Sequence, residues 1–344
     1  MTAETPGISE DRASRDKRQL HLVQAFLVVL RTGPVLILAV LIGVLSLLSP
    51  VFATTGNLGN VLSQSAVIAV LAVGQLLVIL TRGIDLSVGS TLALASVVGA
   101  LVFAATGGGL FSVLATLGAG LAVGAVNGFG YVFGRLPHPF IITLATLSIA
   151  RGAALGLSGG QPVQGVPAVV EVVGGESLGW LPVSTFLVAV VAVVVTLLLT
   201  RVVWGRWIYA VGGNPEAARR AGIPERGVLV SVYLISGLLA GVAAIITAGR
   251  LGAGSPTFGD LAELDSIAAV VIGGASFLGG RGNVGHALVG ALMIGVIRNG
   301  MNLLDIEAFI QLIVIGVVIV LAVESDVVRG RLEGRFRVLK GAAQ

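Results

Sequence analysis

The feature that most constrains this chain is a train of apolar runs from residue 33 to residue 323. Many of them approach the ~20 residues that a helix needs to cross a bilayer. Pro and Gly clusters separate the runs, as at Arg135-Leu-Pro-His-Pro139 and Gly279-Gly-Arg-Gly282. Only 11% of the residues are charged, against about 25% in a soluble domain. The polar faces of a soluble core protein are therefore missing. The fold class expected is an all-α polytopic integral membrane protein.

The runs divide into about ten spans: 33–52, 59–80, 84–105, 110–133, 139–158, 183–203, 228–249, 263–279, 284–301 and 307–323. The second and third are separated only by Thr81-Arg-Gly-Ile-Asp85, so a nine-span count competes and would place one terminus outside. The positive-inside rule favours ten, with both termini cytoplasmic. Every Lys and Arg except Arg151, Arg250 and Arg298 then falls in a cytoplasmic segment, a tail or an inner span end. Arg82, Arg135, Arg201, Arg206, Arg226 and Arg281 belong to this inner set. The organisation expected is a cytoplasmic tail 1–31, a membrane domain 32–323 and a cytoplasmic tail 324–344. Within the membrane domain, 159–182 is a periplasmic loop with Glu171 and Glu176 but no Lys or Arg, and 204–226 is cytoplasmic. No apolar region followed by a small-residue cleavage site comes first, so no cleavable signal peptide is expected. The +4 net charge reflects membrane orientation and implies no nucleic-acid partner.

Gly212 to Pro224, Gly-Gly-Asn-Pro-Glu-Ala-Ala-Arg-Arg-Ala-Gly-Ile-Pro, is the most polar island between spans. Asn214 can cap a helix whose first position suits Pro215. Glu216 complements the positive end of the helix dipole, and Arg219 and Arg220 the negative end. Gly222 can adopt the left-handed conformation that stops the helix, and Pro224 is expected to block a restart. A helix of about two turns is unstable alone and needs something to dock on. Held between two spans, it suits a handle for a soluble partner.

Glycine is abundant, 50 of 344 residues. Gly120, Gly124 and Gly128 recur every four residues, as do Gly237 and Gly241, which puts small residues on one face for tight packing or a subunit contact. Leu76–Ser90 and Val270–Gly285 echo each other as an apolar run, an Arg-Gly break and a Val-Gly entry to a new helix. Such duplication is common in transporters. Gly280-Arg-Gly-Asn-Val-Gly285 matches G-x-G-x-x-G with Asp305 downstream, but apolar flanks make it a turn between spans and not a dinucleotide site.

Ionisable groups within spans are costly and often functional. Asp85, Arg151, Asp265 and Arg298 lie in or near spans. Asp85 suits a helix cap or a substrate contact, with capping favoured. Arg151 needs a partner on another helix. Asn127, Asn299, Asn302 and Gln311 either line a polar path or form interhelical hydrogen bonds. There is no Cys, and His21, His138 and His286 are too dispersed for a metal site. No Walker A motif exists, since neither Lys17 nor Lys340 follows Gly. If ATP drives this protein, another chain must bind it.

Four blocks resemble the ribose/xylose-type sugar permeases of ABC importers. They are Gly83-Ile-Asp-Leu-Ser-Val-Gly-Ser90, with Asp85, Ser87 and Gly89; Thr146–Gly152 with Ser158-Gly-Gly-Gln-Pro162, including Gln161; Gly212–Gly222; and Leu264–Gly274 with Gly279–Gly282. The resemblance implies an inner-membrane permease with a second permease chain, identical or homologous, and a cytoplasmic ABC ATPase that uses ATP and Mg. It also implies a periplasmic or lipid-anchored sugar-binding protein. No cofactor is expected on this chain. The resemblance further implies that Asn214, Pro215, Glu216, Ala217, Arg219, Arg220 and Gly222 form the coupling helix. The Leu-Pro ending of the longer EAA pattern is replaced by Ile223-Pro224. The function expected is monosaccharide import, a ribose-like pentose first, by alternating access and without a covalent step. The rival is an ion-coupled secondary transporter of a small polar solute. It would need a mid-membrane carboxylate, whereas Asp85 and Asp265 fall close to expected span ends. A membrane enzyme would need clustered catalytic groups, and none converge in the sequence.

Overall fold

The computed structural model describes residues 33–342. The expected tail 1–31, with Arg12, Arg15, Lys17, Arg18 and Arg31, lies outside the described residues. Among the described residues, eight helices are long and apolar enough to cross a membrane. They are α2 (Thr55–Leu80), α3 (Val88–Thr106), α4 (Gly109–Phe133), α5 (Pro139–Ser158), α7 (Val183–Arg201), α10 (Glu225–Leu251), α12 (Val284–Leu303) and the Ala308–Val328 part of α13 (Ala308–Ala342). Two more expected spans are shorter helices, α1 (Gly33–Leu48) and α11 (Ala262–Ile272). The helix α13 runs on past residue 323 without a break. Shorter elements fill the connections: α6 (Ala168–Gly175), α8 (Val203–Gly213) and α9 (Pro215–Arg220). Two-residue strands pair as β1 (Val163–Gln164) with β4 (Ala253–Gly254), and β2 (Ser177–Leu178) with β3 (Leu181–Pro182), both antiparallel.

A helix that is apolar all round belongs inside, and a helix with a packed stripe belongs at the edge. In α2, 78% of the most apolar window is buried, against 6% in α13. The helices α2, α3, α10 and α12 form the centre, while α4, α5, α7 and α13 surround them. The outer helices turn Phe129, Ile149, Val193, Leu197, Ile313 and Val320 outward. An apolar exterior of this extent is the inverse of a soluble surface and is what a bilayer covers.

The spaced glycines bring α4 against α10 within the chain. A Cβ on Gly237 would lie 2.8 Å from Gly124 Cα and press on the Gly120 carbonyl. A Cβ on Gly128 would lie 3.1 Å from Val230 Cα. Of the two readings of this spacing, the structure supports the tight intrachain packing.

Two stretches of non-helical backbone enter the bundle from opposite ends. After Leu80 the chain turns at Arg82, in a left-handed conformation with φ 65°, and doubles back to Asp85 before α3 begins. The fully buried Gln75 amide, oriented to satisfy both of its atoms, pairs with Asp85 N and O at 3.1 Å. This places Asp85 beside the body of α2 and not at its end. After α10 the chain re-enters as β4 and the loop to Leu261, then completes the crossing with α11. Eleven residues of helix rise only about 16 Å, which is why the expected span 263–279 is short as a helix. The two breaks meet where Gly259 packs on Gly89: a Cβ on Gly259 would be 2.6 Å from Gly89 O.

One local expectation is corrected. Pro224 does not stop a restart, because α10 begins at Glu225 and Val228 N donates to Pro224 O at 3.1 Å. Proline bars helix on its N-terminal side but its carbonyl is free to open the next one.

Replacing Gly237 by Ala should destabilise the protein by roughly 1–3 kcal/mol through overpacking. Gly118→Ala, where a Cβ meets nothing within 4 Å, should be neutral or gain up to about 1 kcal/mol of helix propensity. Thermal unfolding in detergent compares the two.

Candidate functional site

The first candidate site is built on α9, and its local chemistry follows the residues. Asn214 Oδ1 accepts from Ala217 N at 3.1 Å, and Pro215 opens the helix. Glu216 pairs with Arg219 at 2.7 Å and Arg220 at 3.2 Å. All three charged side chains are more than half exposed. Gly222 takes φ 77° just after the helix. Ala218 is buried in the main core cluster and docks α9 from beneath. The helix thus lies on the bundle by one small residue and turns its charges outward.

Its attachment was not legible in the sequence. The preceding helix α8 packs through Ile208 and Val211, and Trp204 Nε1 donates to Ser231 Oγ at 2.7 Å. Tyr209 donates its hydroxyl to Gly282 O at 2.8 Å. Burial pushes that phenol up from its ordinary value, which keeps it a donor. Arg82 then grips the end of α8: Nε donates to Gly212 O at 2.6 Å and Nη2 to Gly213 O at 2.7 Å. Gly280 N donates to Leu80 O at 2.9 Å, and Gly279 packs against the Arg82 side chain. The two echoing Arg-Gly breaks therefore touch, and α9 is tied to both through Gly212–Asn214. Arg82 read as an orientation charge is also the clamp.

The second candidate site is a buried polar network in the middle of the bundle. Asp85 is 1% exposed. Its Oδ1 accepts from Ser87 N at 3.0 Å and Ser87 Oγ at 2.7 Å, and Oδ2 accepts from Ser236 Oγ at 3.0 Å. Asn127 donates to Ser87 Oγ at 2.8 Å and accepts from Thr146 Oγ1 at 2.6 Å. Asp85 therefore orders the entry to α3 and joins α3, α4, α5 and α10. The expectation that Asp85 sits near a span end holds along the chain but not in space, because the doubled-back segment carries it inward. Gly83 and Gly89 allow the close approach: a Cβ on Gly83 would be 2.6 Å from Tyr233 Oη, and Gly89 lies under Gly259.

The remaining candidates separate. Asn299 forms a reciprocal amide pair with Asn57, at 2.9 and 2.8 Å, between α12 and α2. Asn127 and Asn299 thus each make interhelical hydrogen bonds, Asn127 to Thr146 and Asn299 to Asn57. Asn302 is exposed and accepts from Gln311 Nε2 at 2.8 Å, and Gln161 is an exposed turn residue. Arg151 finds its partner on the loop before α11. It donates to Pro256 O and, at 2.9 Å, to Phe258 O, with Asp260 at 4.0 Å. Arg298 pairs with Asp265 at 2.8 Å. Gln75 and Ser236 were missed; their signal was an isolated polar side chain inside an apolar run, which in a membrane calls for a partner. Asn57, in the polar stretch before the second expected span, was also missed, and Thr146 was noted only as the start of a family block. At the end opposite α9, a polar recess of about 310 Å³ lies between α2, α6, α10 and the β2–β3 hairpin, with Asn60, Gln64, Glu176, Trp180 and Arg250 in its wall.

A family model described as branched-chain amino acid transport system / permease component matches residues 57–323. The ribose import permease protein of Escherichia coli (strain K12) is 43% identical over 294 residues, 84% of this chain and 91% of that protein. The ribose import permease protein of Bacillus subtilis (strain 168) is 42% identical over 302 residues, 86% of this chain and 92% of that protein. The D-allose transport system permease protein of Escherichia coli (strain K12) is 38% identical over 296 residues, 86% and 90% of the two chains. No solved structure matches the chain.

Arg82→Ala should loosen α9 without melting the centre. Losing hydrogen bonds from a charged donor costs on the order of 1.5–3 kcal/mol when they are well shielded; here, with Arg82 exposed, a lower cost of about 1.4 kcal/mol would speed amide exchange about tenfold. Hydrogen exchange should show that acceleration in 214–222 while α2 and α10 stay protected.

Proposed function

The chain belongs to the family of branched-chain amino acid transport system permease components, and from that premise we propose that it is the membrane permease subunit of an ABC importer for a monosaccharide, a ribose-like pentose first. The observation that carries the reading is the match to ribose import permeases at 43% identity over 91% of the relative's length. The D-allose relative supports the sugar class. The protein is a multi-pass membrane protein and sits in the inner membrane in this reading. It catalyses no covalent step. A separate cytoplasmic ATPase binds ATP and Mg, a second permease chain completes the membrane unit, and a sugar-binding protein delivers the solute.

The topology proposed has ten membrane segments, with α1 and the loop-plus-α11 unit counted beside the eight long helices. Both termini are cytoplasmic, 159–182 is periplasmic and 204–226 carries the coupling helix. Glu216, Arg219 and Arg220 face outward and meet a groove of the ATPase. Asn214, Pro215, Ala217 and Gly222 define the ends that hold the helix in shape. Closure of the ATPase dimer moves α9, and the Arg82 clamp passes that movement to the two breaks, which is the local requirement for alternating access. The rival ion-coupled transporter draws no support from Asp85, whose oxygens accept from Ser87 and Ser236 within a closed core.

Two measurements test the reading. A tagged chain, solubilised gently from its native membranes, should bring down a Walker-A ATPase in stoichiometric amount; a chain that purifies alone and transports without ATP would overturn the importer. Glu216→Lys breaks both ion pairs and sets three cations together on a six-residue helix, so uptake should be abolished at unchanged expression. Normal uptake by that variant would remove the coupling role of α9.

A further inference from the structure

The turn that joins α11 to α12 has little in its own sequence to hold a shape. Gly274, Gly279, Gly280 and Gly282 all sit at positive φ, at 90°, 79°, 71° and 150°, a backbone that glycine adopts freely and leaves as freely. The conformation of the turn therefore depends on partners from elsewhere. Leu80 O, at the end of α2, accepts from Gly280 N at 2.9 Å, and the Arg82 side chain packs against Gly279. Tyr209 of α8 donates to Gly282 O. A further partner comes from α13. Asp326 Oδ2 accepts from Phe277 N and from Ser276 Oγ, both at 3.2 Å. Ser276 Oγ accepts in turn from Leu278 N at 3.3 Å, and Ser276 O from Gly279 N at 3.0 Å. The carboxylate thus fixes the first half of the turn, and the α9 attachment touches the second half, where a Cβ on Gly280 would lie 2.8 Å from Gly213 Cα.

The helix that supplies Asp326 is the least buried of the eight long ones and packs along α11. Polar contacts hold it near both ends. Gln311 donates to Asn302 Oδ1 and Ile306 O, each at 2.8 Å, and Asp326 bonds the turn. About 22 Å of helix separates Gln311 from Asp326, at 1.5 Å per residue. The Asp326 contact therefore lies at the end of the bundle that carries α9. Hydrogen bonds to an ionised carboxylate are roughly twice as strong as neutral ones. Asp326 is half-buried, so water competes less for its oxygens. A tether for α13 alone could use any donor on the bundle. These donors belong instead to the segment that Gly212 and Gly213 press on, and that segment leads directly into α12.

We propose that Asp326 is a positioning residue for transport: it stiffens the 276–282 turn so that a displacement of α9 passes into α11 and α12, which makes the end of α13 part of the coupling path. The proposal rests on the ATP-driven importer reading for what is coupled. A displacement of α9 reaches the turn through Gly212, Gly213 and Arg82. A turn of four left-handed glycines with no brace on its first half would bend and absorb that displacement. With Phe277 N and Ser276 Oγ held by one carboxylate, the turn moves as a unit with the helices it joins. Loss of the brace then lowers the transport obtained per ATP while the bundle stays folded, because α11 and α12 keep their own packing.

The test uses the assembled transporter in liposomes and reads ribose uptake and ATP hydrolysis together. Asp326→Ala should lower uptake about tenfold, within the usual range of coupling between sites, with hydrolysis retained. Asp326→Asn keeps an acceptor oxygen without the charge and should stay within about threefold of the unsubstituted transporter. Hydrogen exchange should run about tenfold faster at the 276–282 amides of Asp326→Ala, with α2 and α10 unchanged. Arg82→Ala acts on the same turn, so the Asp326→Ala, Arg82→Ala double variant should import no worse than the poorer single variant. Unchanged exchange at 276–282 would overturn the brace. Faster exchange with normal uptake would overturn its part in coupling. Uptake and hydrolysis that fall together, or losses that multiply in the double variant, would reduce Asp326 to a tether and overturn the proposal. The importer reading is tested apart from this, by ATP-dependent uptake in the unsubstituted transporter. If that fails, exchange at 276–282 still decides the brace.

Discussion

Backbone polar groups removed from water must be paired, and this structure depends on how the chain pairs the ones that its broken helices release. Two segments leave the helical state inside the bundle, 81–87 and 252–261. Each has its own partners. Gln75 serves Asp85 from α2, and Thr143 Oγ1 reaches Ile84 O at 3.2 Å. On the other segment β1 pairs with β4, Ser96 Oγ accepts from Ser255 N at 3.2 Å, and Arg151 takes the carbonyls of Pro256 and Phe258. Without these groups the breaks would not survive at that depth.

The same constraint explains the glycines. Hydrophobic burial drives little association between helices already in lipid, so close packing and hydrogen bonds do that work. Gly120 and Gly124 meet Gly237 backbone to backbone, Gly120 also meets Gly241, and Gly128 lies against the Val230 backbone. Gly212 sits against Leu80 and Gly280, and Gly89 against Gly259. Small residues thus mark the close contacts at both breaks as well as those at the centre.

A mechanical division follows. The Asp85 network ties four helices together in the middle, with both carboxylate oxygens accepting from serines and Asn127 bonded to Ser87 and Thr146. The charged helix α9 is different. One buried alanine and the Arg82 clamp hold it, and its charges face out. A rigid centre with a lightly attached handle is suited to transmitting a push on α9 to the touching turns at 82–83 and 279–282.

Length and hydropathy determined the class of this chain, because crossing a bilayer leaves little choice but helices of about 20 residues. The ends of α9 were also legible, since Asn214, Pro215 and Gly222 act on neighbours within a few residues. The Gly spacing announced tight packing but not its partner. Asp85 was visible as a rare acid, and its sequence position misled, because a chain that doubles back carries a span end into the interior. Gln75, Ser236 and Asn57 gave weak signals that only their distant partners explain. The Arg82 clamp, the meeting of Gly89 with Gly259 and the hold of Arg151 on the loop before α11 were decided by tertiary structure alone. Local chemistry acts between near neighbours, whereas depth, contact and exposure depend on segments that meet only once the chain has folded.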